Sequence, residues 1–204
     1  MSSWIQQIME QFGYIGVAFL IMIENIFPPI PSEVILTFGG FMTTTTSLTI
    51  TGMIIVSTIG SVIGALILYS LGSFLDVYRL EKIIDRWGHI LRLSKNDLHK
   101  ANQWFIKHGV TTVFFCRFIP LIRSLISIPA GMSKMRISTF LLFTTFGSLI
   151  WNTVLIYLGA ILGSNWELIV YYMSIYSKLA YFFIFLALLL TLIWVIRRKK
   201  KGNN

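Results

Sequence analysis

No Lys or Arg occurs before Arg79, the chain carries a single cysteine, Cys116, and only 12% of its residues are charged. One cysteine excludes an intrachain disulfide, and beside Arg117 it reads as a small apolar packing residue rather than a metal ligand or nucleophile. The start lacks a basic n-region and a small-residue cleavage site, so Met1 onward is expected to stay in the mature protein. Charge this sparse, among 204 residues that are 55% hydrophobic, excludes a soluble domain and implies one small polytopic membrane domain.

The formal net charge of +9 does not indicate nucleic acid, because of where the cations fall. Seven cluster between Arg79 and Lys107, Lys134 and Arg136 follow, and Arg197, Arg198, Lys199, Lys200 and Lys201 form a basic tail. This is the pattern of cytoplasmic loops rich in Lys and Arg. The tail would also favour anionic lipid head groups, by about 1 kcal/mol per charge near the surface. His89, His99 and His108 lie in the one extended polar stretch without metal-ligand spacing, so no metal site and no cofactor beyond a proton gradient is expected.

Two apolar runs are exceptional because they contain charge and proline together. One holds Glu24 and Glu33 around Pro28, Pro29 and Pro31; the other holds Arg117 and Arg123 around Pro120. Each charge near a bilayer centre costs roughly 2.5 to 3.5 kcal/mol on insertion scales, so four left unpaired would cost about 10 kcal/mol. Two fixed cations at that depth imply something anionic to meet them.

The hydrophobic pattern divides the chain as follows. Residues 2–12 place Trp4, Ile5, Ile8 and Phe12 on one side and Gln6, Gln7, Glu10 and Gln11 on the other, which suits a short interfacial helix. Residues 13–47 form an apolar run broken by the three prolines, each half shorter than the roughly 20 residues a span requires, so a re-entrant hairpin is predicted. Residues 48–75 are long enough to cross, with a ridge of Ser57, Gly60, Ser61, Gly64 and Ala65 for close helix packing. Residues 76–109 read as a cytoplasmic pair of amphipathic helices, with a capping-box-like Ser94 to Asp97 and Gly109 ending the second.

Residues 110–136 are the second broken run, interrupted at Pro120 and again at Pro129-Ala130-Gly131. Residues 137–162 and 168–196 are two further spans, the last flanked by interfacial Tyr171, Tyr172, Tyr176 and Trp194, and 197–204 is the basic cytoplasmic tail. Pro29 precedes Gly40 by the eleven positions that separate Pro120 from Gly131, and each unit contains an ionisable residue, Glu33 or Arg123. Paired interrupted segments point to an inverted-repeat transporter. Gly39, Gly40, Ala130 and Gly131 would allow close backbone approach, and Asn152 is expected to bond between helices.

The fold expected is therefore an all-α integral membrane protein, an inverted repeat of two re-entrant helical hairpins plus about three transmembrane helices and amphipathic helices. Placing every basic cluster inside puts the Lys-free N-terminus and the first hairpin outside, and the second hairpin enters from the cytoplasm.

Irregular backbone at membrane depth must be buried or line a wet cavity, so both breaks should face one polar chamber. In an unbroken helix Arg123 would point ~120° away from Arg117, and the break at Pro120 frees both to aim at one centre. Their planar donor forks suit a phosphate. Desolvation favours a protonated carboxylate and a neighbouring arginine an ionised one, so Glu24, Glu33 or both are candidates to exchange a proton as an anion binds and leaves. The rival structural reading is two buried ion pairs that merely lock the hairpins together.

The stretches Glu24-Asn25-Ile26-Phe27-Pro28-Pro29-Ile30-Pro31-Ser32-Glu33, Arg117-Phe118-Ile119-Pro120-Leu121-Ile122-Arg123 and Pro129-Ala130-Gly131 resemble those of the DedA family, also called the SNARE-associated or VTT-domain family, over nearly the whole chain. The resemblance implies paired re-entrant hairpins, essential acids at Glu24 and Glu33 and essential arginines at Arg117 and Arg123. It further implies a part in proton-dependent membrane physiology and in moving lipids between leaflets, with undecaprenyl phosphate or phosphatidylethanolamine as guest. A monoester phosphate suits two arginines better than a zwitterion, so the reading is a bacterial cell-membrane translocase returning undecaprenyl phosphate to the inner leaflet, possible as a homo-oligomer. A phosphatidylethanolamine flippase, a lipid phosphatase or transferase, and an ion channel are the rivals.

Overall fold

In the computed structural model the chain is described over residues 3–27, 31–75, 95–120, 122–165 and 167–201. Every regular element among them is helical: α1 (Ser3–Ile26), α2 (Ser32–Thr45), α3 (Ile50–Phe74), α4 (Lys95–Cys116), α5 (Ile122–Leu125), α6 (Ser127–Met132), α7 (Ile137–Leu162), a 3-10 turn (Gly163–Asn165) and α8 (Glu167–Lys201). Pro28 and Pro29, the first amphipathic helix and the Ser94 cap lie outside the described residues.

Among the described residues three helices are long and apolar enough to cross a bilayer: Ile50–Phe74, Ile137–Asn165 and Glu167–Leu186. The 25 residues of the first reach about 37 Å at 1.5 Å per residue, beyond the roughly 30 Å of a hydrocarbon core. By contrast α2 has 14 residues and reaches only about 21 Å. Its end is set by the threonine run, where the hydroxyls of Thr43, Thr44 and Thr46 donate to the carbonyls of Gly40, Phe41 and Met42, each at 2.7 Å. Those hydroxyls bond back onto carbonyls of the last turn, and Met42 O also accepts the Thr46 N–H at 2.9 Å, so the threonines offer the backbone a local alternative to a further helical turn.

α1 bends at Gly13, whose φ of 53° and ψ of −124° suit a residue without Cβ. The bend falls at the expected junction between the amphipathic and apolar segments. The amphipathic face differs from expectation, since Ile5 and Met9 are buried while Trp4 and Phe12 point outward. Residues four apart stack on one helical face, and here that face joins the core made by Val17, Ile21, Ile35, Leu36, Met53 and Ile156.

The predicted small-residue ridge of α3 is buried, and it packs against α1: a Cβ on Gly64 would lie 2.7 Å from the Met22 carbonyl oxygen. Asn152 of α7 donates to Thr58 Oγ1 at 3.3 Å and Ser61 Oγ at 3.4 Å, the interhelical bonds expected of it.

Two backbone contacts elsewhere share one pattern. A Cβ on Gly40 of α2 would collide with the Ile156 carbonyl oxygen of α7, and one on Gly159 of α7 with that of Thr37 in α2. A Cβ on Gly131 of α6 would collide with the Tyr69 carbonyl oxygen of α3, and one on Gly72 of α3 with that of Ile128 in α6. In each of the four segments the obstructing carbonyl stands three positions before the segment's own glycine. Gly39, beside the first of these, has ordinary van der Waals space toward Met9 and Met53.

Two local expectations are corrected. Gly109 does not end a helix, because α4 continues to Cys116 and Gly109 lacks the positive φ of a C-terminal cap; the apolar Val110–Cys116 simply extends the helix from the polar stretch. Pro129 does not break the chain either. It is the third residue of α6, within the first turn, where its missing N–H would have no helical partner anyway.

Candidate functional site: a charged cavity between the proline breaks

Glu24 closes the last turn of α1 and Glu33 opens the first turn of α2, so the first break sets the two carboxylates on either side of it. A carboxylate in the first turn is favoured by the partial positive charge of that helix end. On the other side α4 stops at Cys116, and the turn through Arg117 to Pro120 redirects the chain into α5, which carries Arg123. Pro120 offers no donor, so carbonyls here need other partners. Ile119 N–H donates to Cys116 O at 3.1 Å, and the Tyr176 hydroxyl of α8 donates to Phe118 O at 3.0 Å.

All four predicted ionisable residues are buried. Arg123 Nη2 donates to Glu24 Oε2 at 2.6 Å, an ion pair that bridges the two breaks. Glu24 is held further by Asn25, whose Nδ2 lies 3.3 Å from Oε2. Arg117 goes elsewhere: its Nη2 donates to Ser127 Oγ at 3.2 Å and Thr144 Oγ1 at 3.0 Å, both neutral acceptors. Space for its stem comes from Gly147 of α7, where a Cβ would lie 2.9 Å from Arg117 Cβ. Glu33 Oε1 has no hydrogen-bond partner, and neither has Nε of either arginine. Unmet polar atoms in a buried charged site are places where a guest gains most.

A cavity of about 570 Å³ lies between the breaks and α8. Its wall includes Glu24, Glu33 and Arg123 together with Pro31 and Pro120, so the structure brings five predicted site residues to one space. The size is within the roughly 300 to 1,000 Å³ of small-molecule sites. Arg117 does not line it, and Gly39, Gly40, Pro129 and Gly131 serve helix geometry and packing away from its wall.

The wall also contains residues of α8 that were not foreseen: Ser174, Ser177, Lys178 and Tyr181. A signal for Lys178 was present, because it is the only Lys or Arg between Arg136 and Arg197 and interrupts an otherwise apolar span. A cation in that apolar span is as costly as Arg117 or Arg123 in theirs. Among the described residues no group of three His, Cys, Asp or Glu could hold a metal ion.

A family model, the VTT domain, matches residues 30–161 and so takes in α2, the whole of the second break and the spans α3 and α7 that pack on them, but for the last residue of α7. The chain belongs to the VTT-domain family. Among its relatives, undecaprenyl phosphate transporter A of Staphylococcus aureus is 40% identical over 98% of this chain and 99% of its own. The Bacillus subtilis protein of the same name is 32% identical over 82% of each chain. A Lactococcus lactis protein described as alkaline phosphatase-like is 58% identical over 100% of this chain and 96% of its own. No solved structure matches. This VTT-domain protein is a multi-pass protein of the bacterial cell membrane, as its bacterial relatives and three apolar helices of spanning length require.

Proposed function

We propose that this VTT-domain protein carries undecaprenyl phosphate from the outer to the inner leaflet, with a proton exchanged at the cavity as the phosphate binds and leaves. As a member of this family it is a transporter rather than an enzyme, and relatives bearing the name undecaprenyl phosphate transporter A, alike over nearly the full chain, support a polyprenyl phosphate guest. The single observation that carries the reading is the Arg123–Glu24 pair on the wall of a cavity that also holds Glu33, which has no ion-pair partner among the described residues. A phosphate entering there competes with Glu24 for Arg123. The displaced charge is most cheaply cancelled by a proton, and Glu24 and Glu33 are the carboxylates in place to accept it.

The reading includes two re-entrant hairpins related as an inverted repeat, spanning the whole chain as one domain. Its support is crosswise packing: the helix after the first break lies on α7, the helix after the second lies on α3, and both contacts use the same carbonyl-to-glycine spacing. Alternating access would then rock one hairpin against the other around the cavity. Arg123 would be the direct phosphate ligand. Arg117, one layer behind and bonded to the Ser127 and Thr144 hydroxyls, would supply positive potential or move in when those bonds open.

A leaflet-resolved assay in proteoliposomes tests this, comparing undecaprenyl phosphate with phosphatidylethanolamine, with and without a pH gradient. The native protein is expected to move the polyprenyl phosphate, faster with the gradient, and Arg123→Ala to be inactive. Movement of phosphatidylethanolamine alone, released inorganic phosphate, or ionic current without lipid movement would each replace the reading.

A further inference from the structure

The cavity wall contributed by the two breaks is, by itself, a poor host for an anion. It presents one cation, Arg123, against two carboxylates, Glu24 and Glu33. Arg117 is close but turned to Ser127 and Thr144. The charge that offsets the second carboxylate comes from α8, where Lys178 lines the same space. Lys178 is engaged in no ion pair among the described residues, whereas Arg123 is already bound to Glu24.

Depth makes this lysine hard to explain as a surface residue. It stands eleven positions after Glu167, the start of α8, which is about 16 Å along the axis at 1.5 Å per residue and near the middle of a bilayer core. That is farther than a lysine stem can carry its ammonium back to the interface. Ser174 and Tyr181, four before and three after, lie on the same helical face and on the same wall. On the neighbouring turns Val170 and Met173 pack against the core and also line the cavity, so the face that carries Lys178, itself exposed, is the one α8 turns to this open space.

We propose that Lys178 is a specificity-determining cation of this cavity, which makes it take a phosphomonoester in preference to a zwitterionic phosphodiester head group. The inference rests on the lipid-carrier reading for the kind of guest and adds the residue that selects it. A monoester carries nearly two negative charges and gains from two separate cations, Arg123 on one side and Lys178 on the other. Phosphatidylethanolamine brings one phosphate charge and its own ammonium, which Glu33 would attract and Lys178 would repel. Lys178 therefore contributes to binding one head group and opposes the other.

The full-length protein in phosphatidylcholine nanodiscs provides the test, with farnesyl phosphate as the monoester probe, short-chain phosphatidylethanolamine as the zwitterion and farnesol as the uncharged control. Lys178→Met is expected to weaken farnesyl phosphate about tenfold or more, the worth of about one charge-assisted hydrogen bond, and to leave or improve phosphatidylethanolamine. Lys178→Arg keeps the charge and is expected to stay within about threefold of the native affinity, which separates lost charge from lost fold. Native binding of farnesyl phosphate with no change in Lys178→Met, or an equal loss of both lipids in Lys178→Met that Lys178→Arg does not restore, overturns the inference while leaving the carrier reading in place. Native protein that binds farnesyl phosphate no better than farnesol defeats both.

Discussion

Glu24 and Glu33 face one cavity across the first break, yet among the described residues only Glu24 holds a cation, the Arg123 guanidinium at 2.6 Å. The asymmetry divides their roles. Removing Glu24 strands a buried arginine, and loss of one member of such a pair costs about 3 to 5 kcal/mol. Glu24→Ala is therefore expected to lower the melting temperature strongly in detergent, and Glu33→Gln to leave it nearly unchanged. The double variant Glu24→Ala with Arg123→Ala should recover part of the loss, as measured by a thermal double-mutant cycle.

Proton exchange at Glu33 has a separate signature. Glu33→Gln keeps the shape of the side chain and abolishes its titration. Transport by this variant is expected to become insensitive to an imposed pH gradient, while binding of a polyprenyl monophosphate is kept or tightened because a negative charge has gone. Undiminished gradient dependence in Glu33→Gln would transfer the proton to Glu24 or dissolve the coupling.

Much of this arrangement could be read from residue order, for a definite reason. Charges and prolines inside apolar runs are costly, so Glu24, Glu33, Arg117, Arg123, Pro31 and Pro120 were visible as a set, and long apolar runs marked α3, α7 and α8. Pairing was not visible. Glu24 and Arg123 are 99 positions apart, and which arginine meets a carboxylate depends on how the turn before Pro120 unwinds. Gly109 and Pro129 misled because each residue type has two uses, and only the backbone shows that one continues α4 and the other begins α6. Lys178 escaped notice because a lone lysine in a long apolar helix was absorbed into the span.

The glycine contacts yield a matched pair of predictions. Ala at Gly40 or at Gly131 would drive a methyl group into a carbonyl of the opposing helix, and neither backbone has room to yield without shifting the packed span. Overpacking of this kind costs about 1 to 3 kcal/mol. Both Gly40→Ala and Gly131→Ala are expected to lower the melting temperature, by similar amounts if the two contacts are equivalent halves of one repeat. A large effect at one and none at the other would count against that equivalence.

Arg117 makes the last test, because its partners are neutral. Thr144 Oγ1 at 3.0 Å and Ser127 Oγ at 3.2 Å are the acceptors that a buried, charged guanidinium has in this structure, and Thr144 itself is fully enclosed. Thr144→Val preserves volume and removes one acceptor, so it is expected to cost about 1.5 to 3 kcal/mol, the value of a hydrogen bond to a charged group. Thr144→Ser should keep the bond and most of the stability. If Arg117 swings toward the cavity when phosphate arrives, Thr144→Val also lowers the barrier to that movement, and polyprenyl monophosphate should protect the variant from thermal unfolding more than it protects the native protein. Equal protection of the two would keep Arg117 where it stands, as a fixed cation behind the wall.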